Sequence, residues 1–415
     1  MVRLKIVLIS DWFSENMGYA ENFLPKALAS LGHEIHLITS TAQVYYNSPD
    51  YQKTYEPFLG PNINNVGIKK IDGYFLHRLP LIPKKTGMPG IEGLTKYLDG
   101  LDPQIVQTFS INSLSTVEAA RYCAAKNKPL FTECHVHASV FRKKNIFKKN
   151  VLNLILKNNI FKLVLDIYQS RISKKSLKFV NKVTSVCYPI APDVAKIAKN
   201  YFLATDDKIK VQSLGVDTDL FKIPDYVSNS EEKIKNKIKL GLEPDSLVCI
   251  YTGRFSYDKK PQSLARAVNY LQSKGENIQA LFIGNGTNEE IKEISEAKGC
   301  FVHKFVPVNE LPKYYWLADV GVWPSQESTS QLDAAACGLP LILSDRIEVK
   351  ERINGNGLLY SEDDDIDLAQ KIIQFKNEKM RQTMSAIGAL KIQNSFSWKA
   401  IASSRTEDYI KALNK

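Results

Sequence analysis

Short apolar runs alternate with stretches of helical periodicity along most of the chain. Lys5–Ser10 reads as a buried strand, Ala20–Leu31 as a helix stopped by Gly32, and Glu34–Thr39 as a second strand. Tyr74–Leu79 and Gln104–Phe109 are predicted strands, and Ser115–Lys126 is a predicted helix. Pro129–Thr132, Val183–Cys187 and Lys208–Ser213 continue the strand series. After the polar segment Asp225–Glu243 the alternation resumes. Strands are predicted at Ser246–Thr252, Ile278–Ile283, Cys300–Phe305, Val320–Trp323 and Pro340–Leu343. Helices are predicted between them at Ser263–Lys274, Asn288–Lys298, Leu311–Leu317 and Leu332–Cys337. Helices at Asp367–Phe375, Lys379–Ala389 and from Trp398 to about Leu413 complete the chain. Such βαβ alternation predicts parallel sheets covered by helices on both faces. The expected fold is α/β, with two doubly wound Rossmann-like domains and a ligand at the carboxyl ends of the strands, in the cleft between them.

Composition narrows this picture. A chain of 415 residues is too long for one ordinary core, and 44% hydrophobic with 24% charged residues can build two. The six cysteines include no C-x-x-C pair, which argues against a zinc or redox pair and against a disulfide framework. The first residues, MVRLKIVLIS, read as a strand rather than a signal peptide, and no apolar run is long enough for a spanning helix. A cytoplasmic protein is expected.

Charge adds one local feature. The segment from Arg142 to Lys178 holds eleven Lys or Arg and one acid, Asp166, so it carries nearly all of the net charge of +11. Its cations alternate with Ile, Leu, Phe and Val at roughly helical spacing. This suits an anionic membrane surface, and it also suits an amphipathic segment packed on its own domain. Sparse aromatic interleaving and the lack of a recognised module argue against nucleic acid.

Several stretches could carry chemistry. In YTGRFSYDKKP, Gly253 ends an apolar strand and Arg254 and Lys259 follow. A guanidinium and an ammonium at a strand end can cradle a phosphate if the loop curls; otherwise they are two surface cations. In LFIGNGTNEE, Gly284 and Gly286 let backbone approach a partner, or form a plain turn with Thr287 as helix cap. Near the start, Gly18 stands alone where a dinucleotide fingerprint would have three glycines. In PSQESTSQLDAAACG, Ser328, Thr329 and Ser330 precede a short helix, flanked by Glu327 and Asp333. Their amides, hydroxyls and carboxylates suit sugar oxygens, or simply cap the helix. FTECHVHASV offers Glu133, His135 and His137; the two histidines would share a face on a strand and form either a hydrogen-bonding pair or part of a metal site. EDDDID reads as a solvated loop with a helix cap. Asp217 and Asp219 in VDTDLF have the spacing by which metal-dependent sugar transferases hold a diphosphate.

Taken in order, these motifs resemble the retaining glycosyltransferases of family 4, a branch of the group 1 glycosyl transferases with the GT-B fold. SDWFSENMGYAENFLPKALASLGHEIHLITS is similar to the family's opening, LGVDTDLF to its interdomain segment, and GRFSYDKKP to its G-R-L-x-x-E-K-G. LFIGNG and FVPVNELPKYYWLADVGVWPS follow the same pattern. The resemblance implies an acceptor domain over 1–222, a donor domain over 223–397, and a final helix, 398–415, packing back on the first. It implies that Gly18, Gly253, Arg254, Lys259 and Gly284 surround the donor diphosphate, with no metal and no cofactor. His303 and Val306 would lie near the nucleotide base, and Asp333 would hold the ribose hydroxyls. His135, or His137 in its place, would lie near the transferred sugar. The family's two acids stand eight apart, but Glu327 and Asp333 are six apart, and counting back eight from Asp333 reaches Ser325. Either a shorter loop lets Glu327 reach the donor sugar, which is the expected arrangement, or Ser325 and the Ser328–Ser330 hydroxyls replace it. Catalytic roles thus fall to His135, Arg254, Lys259 and Glu327. The expected activity moves a sugar from a UDP- or GDP-linked donor to a glycan acceptor, lipid-linked, in cell-surface polysaccharide or lipopolysaccharide synthesis. The basic segment 142–178 would hold the enzyme on the inner face of the plasma membrane. A sugar-nucleotide epimerase of the same fold, or a non-catalytic nucleotide-sugar-binding protein, is the alternative.

Overall fold

The structure, a computed structural model, describes residues 2–15, 17–83, 90–136, 172–224, 230–325 and 327–414. It forms two compact units. The first comprises Met1–Ser213 with Ile401–Lys415, and the second comprises Leu214–Ala400.

The first unit is built on a seven-stranded sheet in the order β3-β4-β2-β1-β7-β8-β9. Its strands are β1 (Lys5–Ser10), β2 (Glu34–Ser40), β3 (Gly67–Ile71), β4 (Tyr74–Leu79), β7 (Ile105–Thr108), β8 (Leu130–Cys134) and β9 (Thr184–Pro189). A two-stranded ribbon of β5 (Leu81–Ile82) and β6 (Gly90–Ile91) stands apart. All neighbours in the large sheet are parallel except β3, which pairs antiparallel with β4 at the edge. Ile6, Val7, Leu8 and Ile9 are all buried, which is why β1 is a continuous apolar run: in a parallel sheet both faces are covered. The edge strand β3 is different. Its sequence GIKKI is almost wholly exposed, and lysines on an edge discourage further pairing.

The last helix, Trp398–Leu413, joins this unit through polar contacts. Arg405 Nη1 lies 2.6 Å from Glu133 Oε1, Thr406 Oγ1 lies 3.0 Å from His33 Nε2, and Tyr409 donates to Gln107 Oε1 at 2.5 Å. Asp408 accepts from Tyr188 at 2.8 Å and from Lys210 at 2.6 Å.

The second unit is a six-stranded, wholly parallel sheet in the order β12-β11-β10-β13-β14-β15. Its strands are β10 (Leu247–Arg254), β11 (Ile278–Asn285), β12 (Cys300–Lys304), β13 (Val320–Trp323), β14 (Leu341–Ser344) and β15 (Gly357–Tyr360). Both sheets start in the middle and wind outward in two directions, as a doubly wound fold requires.

Three expectations are corrected. Lys208–Ser213 is no strand: it makes one isolated bridge, Cys187 to Ile209, with amide bonds from Lys210 to Cys187 O and Gln212 to Pro189 O. Pro189 has no N–H, so the ladder cannot continue through it. The polar segment Asp225–Glu243 contains a helix, Ser230–Lys239. The acidic loop Glu362–Asp365 is not simply solvated. Glu362 is half-buried and accepts from Lys260 at 2.6 Å and Ser325 at 3.3 Å, while Asp364 caps the helix Asp365–Gln374.

The basic segment 142–178 lies outside the described residues up to 171. In its described end, Lys174, Lys175 and Lys178 face outward on the helix Lys174–Val183, while Leu177 and Val180 are buried. No helix among the described residues is long and apolar enough to cross a membrane.

Candidate active site

In the second unit the sheet reverses its winding between β10 and β13, and ligands of doubly wound folds sit at such points, beyond the carboxyl ends of the strands. Four loops meet that edge. Gly253 of β10 pairs with Gly284 of β11, which pairs in turn with Lys304 of β12, so these strand ends are side by side. Glycine is required at Gly284 by close approach: a Cβ there would stand 1.8 Å from the carbonyl oxygen of Gly253. At Gly253 itself φ is +144°, a conformation that side chains disfavour.

The loop after β10 curls as a phosphate cradle needs. Tyr251 donates to the carbonyl of Arg254 at 2.8 Å, leaving Gly253 and Arg254 exposed at the strand end. The two lysines that follow part company. Lys260 is held by Glu362 and Asp363, whereas Lys259 Nζ reaches across to the carbonyl oxygen of Glu327 at 3.2 Å. That bond ties the loop after β10 to the loop after β13. Burial lowers the Lys259 pKa, and Arg254 and Arg352 nearby lower it further, against the opposing pull of Asp258 and Glu327. Cations gathered under partial desolvation are stabilised by a bound anion.

The loop after β13 presents the hydroxyl run. Ser328 and Ser330 bond each other at 2.7 Å, and Ser330 also donates to Thr252 O at 3.2 Å. Ser328 is the N-cap of the helix Thr329–Ala336, yet its side chain makes no cap bond. The carboxylate of Glu327 accepts from the amide of Glu348 at 2.7 Å. Ser325, eight positions before Asp333, is buried, with its hydroxyl toward Glu362. Below them Asp333 is pushed up to about 8 by desolvation and by the Asp217 carboxylate. Asp217 in turn accepts from the amide of Asp219 at 3.1 Å.

Arg352 was not singled out from the sequence. It is buried, and it donates to Ser328 O at 3.2 Å and Gln331 Oε1 at 3.4 Å, clamping the hydroxyl loop. His303 lies at the end of β12, its Nδ1 2.9 Å from Lys304 O and its ring 5.1 Å from that of Tyr314; Val306 is buried just beyond. Gly284 and Gly286 lead to the helix Asn288–Ser295, which Thr287 and Glu290 close as a capping box. The turn-and-cap reading of that motif therefore holds as well. A cavity of about 490 Å³ elsewhere in this unit, lined by residues such as Lys239, Trp316 and Gly338, contains none of the residues singled out.

The first unit has its own reversal, between β1 and β7. A pocket of about 190 Å³ opens there, lined by Asp11, Trp12, Glu21, Asn112, Glu133 and His135 among others. His135 follows the end of β8, and its Nε2 lies 2.6 Å from Glu133 Oε2. Glu133 is fully buried. Desolvation would raise its pKa, but Arg405 and His135 together pull it below the ordinary range. Burial, with a smaller push from Glu133, lifts Glu21 to about 7. Gly18 lies exposed in the loop before the helix Ala20–Ser30. His137 lies outside the described residues.

Of the residues singled out, the structure thus gathers Gly253, Arg254, Lys259, Gly284, Glu327, Ser328, Thr329, Ser330 and Asp333 at one sheet edge, with His303 and Val306 on the flanking strand. Gly18 and His135 belong to the first unit. Glu21 and Arg405 were missed. Their only signal is burial, which a local pattern of charged residues does not reveal.

Residues 246–378, most of the second unit, match the family of glycosyl transferases group 1. A D-inositol 3-phosphate glycosyltransferase from Xylanimonas cellulosilytica is 26% identical over 225 residues, which are 50% of this chain and 52% of that protein. The chain spans about half the length of the curated relatives it matches. Among solved structures, sucrose-phosphate synthase from Thermosynechococcus elongatus aligns with a TM-score of 0.67 and 18% identity, over 99% of this chain and 100% of that one. Anabaena HepE in complex with UDP-glucose aligns with a TM-score of 0.62 and 15% identity, over 99% and 100%. The likeness runs through both units and shows the GT-B fold.

Proposed function

We propose that this chain is a metal-independent, retaining glycosyltransferase of the family 4 type, moving a sugar from a UDP- or GDP-linked donor to a glycan acceptor. The observation that carries the reading is the bridge at the second unit's reversal point, where Lys259 donates to Glu327 O beside the exposed Arg254. As the bond from the sugar's anomeric carbon to the diphosphate breaks, negative charge grows on the leaving oxygen. Arg254 and Lys259 stabilise that charge, while Gly253 and Gly284 let the backbone approach the phosphates.

The other residues take complementary roles. Ser328, Thr329 and Ser330, with the first amides of their helix, offer donors to the sugar and phosphate oxygens. Glu327 accepts from sugar hydroxyls. Asp333 accepts from the ribose hydroxyls, and His303 and Val306 lie by the base. Both the group 1 match over 246–378 and the UDP-glucose bound to HepE support a nucleotide-sugar donor. No strong base is demanded, because the departing diphosphate can receive the acceptor proton on the same face.

The acceptor is placed on a lipid carrier, in cell-surface polysaccharide or lipopolysaccharide synthesis, with the basic segment 142–178 on an anionic membrane. Each surface cation contributes about 1 kcal/mol there. Two experiments test the reading. Arg254→Ala and Lys259→Ala are each expected to lower turnover by about a hundredfold or more; undiminished turnover in both refutes it. Liposome flotation at low salt tests the membrane part, which fails if anionic vesicles do not carry the protein upward.

A further inference from the structure

The pocket of the first unit contains a hydrogen-bond arrangement that the donor-site reading does not use. Glu133 is 0% exposed and both its oxygens are engaged. Oε1 accepts from Arg405 Nη1 at 2.6 Å and from Gln107 Nε2 at 2.7 Å, and Oε2 meets His135 Nε2 at 2.6 Å. The partners are themselves fixed. Arg405 is 1% exposed, donates through Nε to Gln212 Oε1 at 2.7 Å, and lies over the Tyr188 ring at 3.9 Å. Gln107 accepts from Tyr409.

An ionised carboxylate can only accept. With Arg405 as its counter-charge, Glu133 remains an acceptor inside the unit, so the nitrogen facing it must carry the hydrogen. Nε2 of His135 is therefore the protonated nitrogen. In the neutral ring Nδ1 then holds the lone pair, and among the described residues no hydrogen bond occupies it. The His135 side chain is 29% exposed and lines the pocket, so it connects the buried network to whatever the pocket holds.

We propose that Glu133 and Arg405 are positioning residues that fix the tautomer and orientation of His135, so that Nδ1 accepts a hydrogen bond from a hydroxyl of a polyhydroxylated ring in this pocket. The proposal rests on the glycosyl-transfer reading for its substrate class, but its geometry stands apart from it. Arg405 serves as the fixed positive charge, Glu133 as the orienting acceptor and His135 as the group that touches substrate. Glu21, Asp11 and the Cys134 thiol are the other titratable groups lining the pocket, and Tyr188, Tyr409 and Cys187 pack behind Glu133.

The test is nitrogen NMR of the full chain with labelled histidine, His135 being assigned by its loss in His135→Gln. In the neutral ring, the wild type is expected to show His135 protonated at Nε2 and not at Nδ1. In Glu133→Gln, where the amide can donate as well as accept, the signals are expected to report mixed tautomers. With an active donor, that variant's kcat should fall about tenfold to a hundredfold at unchanged donor KM, on the scale of losing one hydrogen bond made in the transition state. Should Glu133→Gln not fold, Glu133→Asp keeps the counter-charge to Arg405 but withdraws the oxygen from His135, and the same shift is expected. A wild-type His135 protonated at Nδ1, or tautomers unaltered by both substitutions, overturns the proposal. Loss of donor turnover everywhere, with the tautomer still locked in the wild type and released in the variant, would instead contradict the glycosyl-transfer reading and leave the positioning intact.

Discussion

Asp333 offers a prediction in which stability and function move in opposite directions. Its carboxyl is pushed up to about 8 by desolvation and by Asp217. The folded protein therefore holds this proton more tightly than the unfolded chain, where an aspartate titrates near 3.8. A group whose pKa rises on folding costs nothing below its unfolded pKa. Its penalty grows as pH climbs toward the folded value. At pH 7 the gap is about three units, or at most about 4 kcal/mol at 1.36 kcal/mol per unit. The side chain is partly open to solvent, and screening brings the expected penalty to about 1–2 kcal/mol. Asp333→Asn removes the ionisation and keeps the shape. The variant should match the wild type in urea unfolding at pH 4 and exceed it by about 1–2 kcal/mol at pH 7 to 8. Above about pH 8, where Asp333 is ionised, the same variant should bind its nucleotide-sugar about tenfold to a hundredfold more weakly, because hydrogen bonds to a charged acceptor are lost. Equal stability of the two proteins at pH 8 would refute the electrostatic reasoning, and unweakened donor binding would refute the role assigned to Asp333.

Other outcomes follow from the same geometry. His77 is buried against His36 and Tyr97, and desolvation followed by His36 lowers it to about 4. Its neutral form favours folding above the ordinary histidine pKa of about 6.5, so stability should drain by about 2 kcal/mol as pH falls from 7 to 5; His77→Gln should flatten that slope in chemical denaturation. Gly284→Ala should cost several kcal/mol, since its Cβ has no room beside Gly253 O, and a thermal melt unchanged from the wild type would contradict the packing. Arg352→Ala should loosen the hydroxyl loop and raise the donor KM more than it lowers kcat, read from steady-state kinetics. Turnover should survive exhaustive chelation; restoration by a divalent cation after its loss would contradict a metal-independent reaction.

The parallel strands were the most legible part of the chain. Tyr74–Leu79 and Val320–Trp323 are runs buried almost throughout, and their bounds coincide with the structure. β3 escaped notice because an exposed edge strand such as GIKKI has no buried face to leave a pattern. The helix Ser230–Lys239 escaped because its sequence is almost all charge. The site divides along the same line. Arg254, Lys259 and Asp333 stand in motifs that local sequence displays. Arg352, Glu362 and the Glu133–Arg405 pair owe their places to partners far along the chain, the last 272 residues apart, and no local spacing announces such a pairing.

Release of nucleoside diphosphate tests glycosyl transfer at this site most directly. The purified chain would be incubated with UDP-, GDP- and ADP-sugars and the freed diphosphate measured, with Lys259→Ala and Arg254→Ala beside the wild type. One UDP- or GDP-sugar should be turned over, with both variants slower by about a hundredfold or more. Release from none of the donors, or release by the variants at the wild-type rate, would contradict it.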